Sequence, residues 1–243
     1  MGFLVSPRRH IHDDSDVFYP TRDDEPLAET TLHADVILAT VTALRNHLRE
    51  TAHGRSPVVL CDQFVYYAKG FPTLRVAPDI AVLFGVPQIP YENYKIWETE
   101  VVPSAIFEIS SAATQERDRR EQKALYERLG VNEYWLFDPK GEWIAEKLLG
   151  YRLQPTADPV YEPIPDGRSE ALGLQLVVEG PSLGLYRLDT SEKLLDPSAL
   201  HEALKREKAR AEQERLRAEQ ERERADRLAQ ELAALRQQLG GNS

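Results

Sequence analysis

The feature that most constrains this sequence is a single carboxylate inside an apolar segment. Residues 104–111 read SAIFEISS, an apolar run that is typical of a buried strand and that Glu108 interrupts. Moving a charged carboxylate out of water costs free energy that the surrounding protein must offset. A chain that buries this strand must therefore give Glu108 a cation, a network of hydrogen bonds or a metal ion.

A second carboxylate, Asp79, lies in the preceding strand-like run LRVAPDIAVLF. Strand alternation places Glu108 and Ser110 on one face of their strand. If the two strands are neighbours in a sheet, Asp79 and Glu108 converge. Two adjacent carboxylates repel each other unless a cation lies between them, and Mg²⁺ is usually held by one or two carboxylates and several waters. The pattern therefore predicts a site for Mg²⁺ or Mn²⁺ at these two residues.

The N-terminal part of the sequence predicts an arm followed by a helix. Residues 1–25 are acidic, flanked by proline and without periodicity, so we expect an arm with little structure of its own. From Leu27 to Leu48, apolar residues recur at helical spacing, and Thr30 or Thr31 offers an N-cap.

The middle of the sequence predicts one α/β domain over residues 26–195. Short strand-like runs separated by glycine and proline follow the first helix, and they suggest a meander. A second helix is predicted from about Thr114 to Leu129, with Gly130 as its C-terminal stop. Further strands, beginning with NEYWLFD, extend to about Asp189. This order predicts a mixed β-sheet between helices.

The tail, residues 196–243, has a different composition and predicts a charged helix. In heptad register, the a positions are Leu204, Ala211, Ala218, Ala225, Leu232 and Leu239, and the d positions are Leu200, Glu207, Glu214, Glu221, Leu228 and Leu235. The seam is apolar at its ends and acidic in its middle. One interpretation is a homodimeric coiled coil through residues 200–239, and the other is a lone helix supported by Glu–Arg pairs.

Charge and composition limit the possible functions and locations. The net charge is −10, and residues 1–200 carry 20 Lys and Arg against 31 Asp and Glu, which argues against a general nucleic-acid binder. No segment approaches the roughly 18 to 20 consecutive apolar residues of a membrane span. The N-terminus lacks the apolar core of a signal peptide, and Cys61 has no cysteine partner. We therefore expect a cytoplasmic protein without a membrane partner.

The ordered series of motifs resembles a known nuclease family. Pro78-Asp79 and Glu108-Ile109-Ser110 resemble the PD-(D/E)XK signature of the restriction-endonuclease-like superfamily, with Ser110 in place of its lysine. The segment EISS, the helix residues Asp118, Lys123 and Tyr126, and the strand GVNEYWLFDP resemble the Uma-type endonuclease family. The similarity covers roughly residues 27–190, as judged from the motifs.

The resemblance implies a restriction-endonuclease-like fold and a metal-dependent site. Asp79, Glu108 and the backbone carbonyl of Ile109 are expected to hold Mg²⁺, and Lys123 is expected to replace the missing strand lysine by positioning the attacking water. Helical spacing does not support this role, because at about 100° per residue Lys123 lies roughly 140° from the apolar stripe. A solvated surface charge is therefore the alternative for Lys123.

Two further candidates lie in the first helix. Glu29 and His33 are four residues apart, so they share one helical face and could approach the metal or the substrate. A surface salt bridge or a cap contact is the alternative. The match of AETTLH to a family segment favours His33.

Two functions are consistent with these observations. The first is a Mg²⁺-dependent DNA endonuclease, in which a metal-activated water hydrolyses a phosphodiester and the protein contacts the DNA backbone. The second is a nuclease-fold adaptor with little or no turnover that assembles through its C-terminal coiled coil.

Overall fold

A computed structural model of the chain describes residues 17–21, 30–52, 54–110, 118–156 and 159–240. The described residues form two compact units, one ending at Leu194 and one beginning at Leu195. The boundaries predicted near residues 25 and 195 stay predictions.

Helix α1 spans Thr31–Thr51 and begins at the predicted cap. The Thr30 hydroxyl accepts a hydrogen bond from the His33 backbone N–H at 3.3 Å, which satisfies one of the free donors of the first turn. The apolar side chains at helical spacing are buried, namely Val36, Ile37, Val41, Leu44 and Leu48. The predicted residues Leu27–Glu29 lie outside the described part of the chain.

The remaining elements are named in chain order. The strands of the described residues are β1 (Val58–Cys61), β2 (Val65–Tyr66), β3 (Arg75–Val76), β4 (Ile80–Leu83), β5 (Tyr94–Lys95), β6 (Ala105–Ile109), β7 (Glu133–Phe137), β8 (Leu148–Gln154), β9 (Val160–Pro163), β10 (Arg168–Ser169), β11 (Leu174–Glu179) and β12 (Ser182–Arg187). The later helices are α2 (Ile96–Thr99), α3 (Lys123–Leu129) and α4 (Pro197–Gly240).

A mixed six-stranded sheet forms the centre of the first unit, as the sequence predicts. Its strand order is β1-β4-β6-β7-β8-β9, in which β6 and β7 are parallel and the other neighbours are antiparallel. Two three-stranded sheets, β3-β2-β5 and β10-β11-β12, accompany it. The fold is therefore a mixed α/β fold.

The run LRVAPDIAVLF is not one strand, contrary to the prediction. It divides into β3 and β4, which belong to different sheets. The break falls at residues 77–79, where Pro78 has no backbone N–H to donate to a sheet ladder. The division leaves Asp79 immediately before β4, at the edge of the central sheet.

The two faces of β6 pack in two different hydrophobic clusters. The cluster that includes α1 contains Ala105, Phe107 and Ile109, whereas Ile106 belongs to the opposite cluster, with Tyr126, Tyr134 and Leu136. The predicted alternation along the SAIFEISS strand is thus confirmed.

The second helix differs from its prediction. Residues 111–117, which include the predicted start at Thr114, lie outside the described part of the chain. Asp118–Gln122 form a π-helical turn, and the α-helix α3 covers only Lys123–Leu129. Gly130 ends it in the left-handed region with φ of 85°, as predicted. A π-turn rotates the helix face relative to a continuous α-helix, so angles calculated at 100° per residue do not apply across it.

Part of the predicted N-terminal arm contacts the domain. Residues 17–21 form no helix or strand, yet the Tyr66 hydroxyl donates to the Pro20 carbonyl at 2.5 Å. The Tyr19 ring also packs against Tyr66 and Trp97. The rest of the predicted arm, residues 1–16 and 22–25, lies outside the described residues.

The tail is one long helix, α4. Ion pairs at helical spacing join Arg210 to Glu214 at 3.3 Å and Arg215 to Glu212 at 3.1 Å. The coiled coil stays a prediction. No helix within the described residues is long and apolar enough to cross a membrane.

Candidate active site

Three strand ends meet at one edge of the central sheet. Because β4 is antiparallel to β6 and β6 is parallel to β7, the start of β4 and the ends of β6 and β7 share this edge. Asp79 precedes β4, Glu108 lies near the end of β6, and Asp138 follows β7. The strands that carry Asp79 and Glu108 are therefore neighbours, as the sequence analysis required.

Asp79 and Glu108 are connected by reciprocal backbone contacts. The Asp79 N–H donates to Glu108 Oε2 at 3.3 Å, and the Ile109 N–H donates to Asp79 Oδ2 at 2.6 Å. Glu108 is 4% exposed, whereas the Asp79 side chain is 15% exposed. The pair thus lies where the buried sheet meets the surface.

Tyr126 supplies a third contact that the sequence analysis did not assign. Its hydroxyl donates to Glu108 Oε1 at 2.7 Å from the buried face of α3. The only signal in the sequence was the presence of Tyr126 in the Asp-Lys-Tyr helix pattern of the resembled family. The buried Glu108 carboxylate is therefore held by hydrogen bonds from both a backbone and a side chain.

His33 lies beside the pair, and Glu29 is outside the described residues. His33 Nε2 is 3.6 Å from Asp79 Oδ1, and both side chains are largely buried. The Thr30 cap fixes the start of α1 and so positions His33 in its first turn. The predicted proximity of Glu29 to His33 stays a prediction.

Lys123 is half-buried at the start of α3 and contacts an aromatic ring. Its Nζ lies 4.2 Å from the centroid of the Tyr151 ring, in a cation–π geometry. Tyr151 belongs to β8, which pairs with β7, so Lys123 packs over the central sheet. The role in activating water stays a prediction.

The donor set fits a hydrated divalent cation better than a closed metal cage. Among the described residues, no group of three or more His, Cys, Asp and Glu side chains could hold a metal ion. A carboxylate offers about four lone-pair positions, and the Asp79 carboxylate accepts one backbone hydrogen bond, from the Ile109 N–H. One or two carboxylates completed by water suffice for Mg²⁺.

Asp138 organises the loop that follows β7. Its buried carboxylate accepts backbone hydrogen bonds of 2.7–3.1 Å from four residues, Lys140, Gly141, Trp143 and Ile144. Burial alone would raise the pKa of Asp138, but the four N–H donors outweigh burial and lower that pKa below its usual value. The loop is therefore fixed by one charged side chain.

A hollow of about 90 Å³ lies between the start of α1 and this loop. Its lining includes His33, Ser110, Lys140 and Trp143. The Ser110 hydroxyl is buried and has no hydrogen-bond partner among the described residues. The position where the superfamily signature has lysine thus carries a buried and unsatisfied hydroxyl.

Asp138→Asn tests the charge that fixes the loop. Because the folded pKa is lowered, the charged carboxylate stabilises the fold at pH values above the ordinary pKa of 3.8. We expect the variant to lose about 1–3 kcal/mol of unfolding free energy at pH 7, measured by urea unfolding. The difference from the natural chain should shrink as the pH falls below 3.8.

The exposed turn residue Asp166 provides the control. Asp166→Asn should change the unfolding free energy by less than about 0.5 kcal/mol, as is usual for a surface position. An equal effect of the Asp138 substitution at pH 7 and in the acid range would contradict this account of the loop.

The family of the chain follows from a comparison with models of known protein families. No curated protein matches the chain. One similar solved structure is a "putative nuclease belonging to DUF820" from Anabaena variabilis, at 16% identity, with coverage of 70% of this chain and 80% of that chain and a TM-score of 0.42. The Uma2 family model, described as "Putative restriction endonuclease", matches residues 10–183. The chain therefore belongs to the Uma2 family of restriction-endonuclease-like proteins.

Proposed function

We propose that this protein is a Mg²⁺- or Mn²⁺-dependent DNA endonuclease. Membership of the Uma2 family supports a nuclease function for this chain. The observation that carries the proposal is the juxtaposition of Asp79 and Glu108 at one sheet edge, where each carboxylate accepts a backbone N–H from the other strand.

The proposed cation ligands are Asp79, Glu108 and the carbonyl of Ile109. Hydrogen bonds from Tyr126 and the Ile109 N–H orient the two carboxylates before the cation arrives. A bound cation would polarise the scissile phosphate and lower the pKa of a water molecule. The chain's own contribution is to hold two carboxylates together where the buried sheet meets the surface.

Lys123, His33 and Glu29 are the proposed assisting residues. His33 lies 3.6 Å from Asp79 and could orient its free oxygen or a nearby phosphate. Lys123 lies one helical turn before Tyr126, the residue whose hydroxyl donates to Glu108. The four-carbon side chain of Lys123 allows its ammonium group to reach past the Tyr151 ring. Glu29 is proposed only from its spacing to His33.

The acidic composition of the domain restricts how DNA could bind. Arg120 and Arg128 are exposed in the segment that carries Lys123. This segment therefore presents basic groups at the surface of an otherwise acidic protein. Such residues can contact the DNA backbone, and the cation offsets part of the negative charge at the site. We therefore propose backbone contacts without a sequence-specific recognition surface.

An adaptor with little turnover is the second candidate function. The described leucines at the a and d positions of α4 are about half exposed in the single chain, namely Leu200, Leu204, Leu228 and Leu232. Exposed leucines at heptad spacing favour a self-associating helix. We propose a homodimer through residues 200–239, which either function could use.

Substitution of the carboxylates tests the catalytic proposal. Asp79→Ala and Glu108→Gln should abolish Mn²⁺ binding measured by calorimetry, because each variant removes one charged ligand. Both should also abolish the cleavage of supercoiled and single-stranded DNA in the presence of Mg²⁺ or Mn²⁺.

Glu133 supplies a matched control for Glu108. It is also a buried glutamate, but its carboxylate is satisfied within the fold by Trp135, Arg152, Ser169, Glu170 and Ala171. Glu133→Gln should lower thermal stability and leave Mn²⁺ affinity within about twofold of the natural chain. Cleavage that persists in Asp79→Ala, or Mn²⁺ binding that survives both site substitutions, would contradict the proposal.

The homodimer is tested in α4. Replacing Leu228, Leu232 and Leu235 with serine should convert a dimer into a monomer in sedimentation equilibrium, because these residues form the apolar end of the heptad seam. Leu216 is 48% exposed and lies at an f position outside the seam, so Leu216→Ser should leave the dimer intact. A monomeric natural chain would rule out this assembly.

A further inference from the structure

The hollow beside α1 lies next to the proposed catalytic residues. His33 lines it and is also 3.6 Å from Asp79. The opposite wall is the loop of residues 138–144, which Asp138 holds through backbone hydrogen bonds. A ligand in this hollow would therefore contact His33, which is itself next to Asp79.

We infer that the hollow receives one base of a nucleic-acid strand and that Trp143 is the residue on which this base stacks. The identity of the ligand rests on the proposed nuclease function. The base would belong to a nucleotide next to the scissile phosphate at the proposed cation site of Asp79 and Glu108. Trp143 is thereby a binding residue for the substrate, separate from the cation site.

The environment of Trp143 suits a stacking role. Its side chain is 37% exposed at the hollow, and its backbone N–H donates to Asp138 Oδ2 at 2.7 Å. Trp135 is fully buried in the sheet, so its ring is not accessible to a ligand. An exposed indole on a fixed loop can stack on any base, because every base has a π-face.

The floor of the hollow offers a polar group that the described residues leave unsatisfied. Ser110 is 7% exposed, and its Oγ has no hydrogen-bond partner among the described residues. A buried polar atom without a partner costs free energy, which a ligand can recover by forming the missing bond. The edge of a base carries the donors and acceptors that a hydroxyl can use.

The size of the hollow favours a strand over a free nucleotide. Its volume of about 90 Å³ is well below the roughly 300–1,000 Å³ of pockets that enclose small molecules. It can accept part of one base while the rest of the strand stays outside. Lys140 is exposed on the same loop and can contact a phosphate of the strand. Glu142 is also exposed there, and its carboxylate would repel a phosphate placed next to it.

This inference predicts a preference for unpaired nucleic acid. A base can stack on Trp143 only after it has left the stack of an intact duplex, which costs free energy. Single strands and unpaired segments do not require this step. The natural chain should therefore bind a single strand more tightly than a duplex of the same sequence.

The experiment measures binding of a fluorescein-labelled 12-nucleotide single strand and its duplex by anisotropy. The full chain is used in EDTA, so that no metal-dependent cleavage occurs. Trp143→Ala should weaken single-strand binding by about fivefold or more, and Trp143→Phe should retain most of the affinity. Val177 is exposed to a similar degree on the β10-β11-β12 sheet, and Val177→Ala should bind as the natural chain does.

Two further readouts separate binding from folding. The single strand should quench tryptophan fluorescence of the natural chain but much less that of Trp143→Phe. Ser110→Ala should weaken binding without lowering the thermal midpoint, because it removes an unsatisfied buried hydroxyl.

Equal single-strand affinity of Trp143→Ala and the natural chain would overturn the inference. So would duplex binding as tight as single-strand binding. If Asp79-dependent DNA cleavage is found together with either result, the base subsite fails and the proposed nuclease function stands. If the natural chain shows neither DNA binding nor cleavage, both fail together.

Discussion

The site depends on reciprocal hydrogen bonds between the residue before β4 and the end of the neighbouring strand β6. The Asp79 N–H binds the Glu108 carboxylate, and the Ile109 N–H binds the Asp79 carboxylate. Each acidic side chain is thus oriented by the backbone of the other strand, and sheet pairing fixes both at once. Such preorganisation reduces the cost of holding two like charges close together, which is what a cation site requires.

Two buried glutamates in this fold show how the surroundings decide the use of a carboxylate. Glu133 receives hydrogen bonds from β8 and from residues 169–171, so it links the central sheet to the β10-β11-β12 sheet. Glu108 lies at an edge, with Tyr126 on one oxygen and a backbone N–H on the other. The first is enclosed by the fold, whereas the second lies beside Asp79, whose side chain is 15% exposed.

Local rules predicted several features because each depends on a few neighbouring residues. Alternation identified the buried faces of β6, Thr30 was a correct cap, and Gly130 was a correct helix end. The break at Pro78 was missed because both halves of the run have the composition of strands, and only their partners show that they belong to different sheets. The π-turn at Asp118–Gln122 was missed because its side chains resemble those of an α-helix. The contacts of Tyr126 and of the Asp138 loop join distant residues or several backbone groups, which no periodicity indicates.

The central claim is that Asp79 and Glu108 together hold one divalent cation. The most direct measurement is anomalous X-ray diffraction from crystals of the natural chain soaked in Mn²⁺. The account predicts one anomalous peak within coordination distance of both carboxylates, roughly 2.0–2.6 Å from their oxygens. A well-diffracting crystal with no peak at this edge, or with the manganese bound to neither residue, would contradict it.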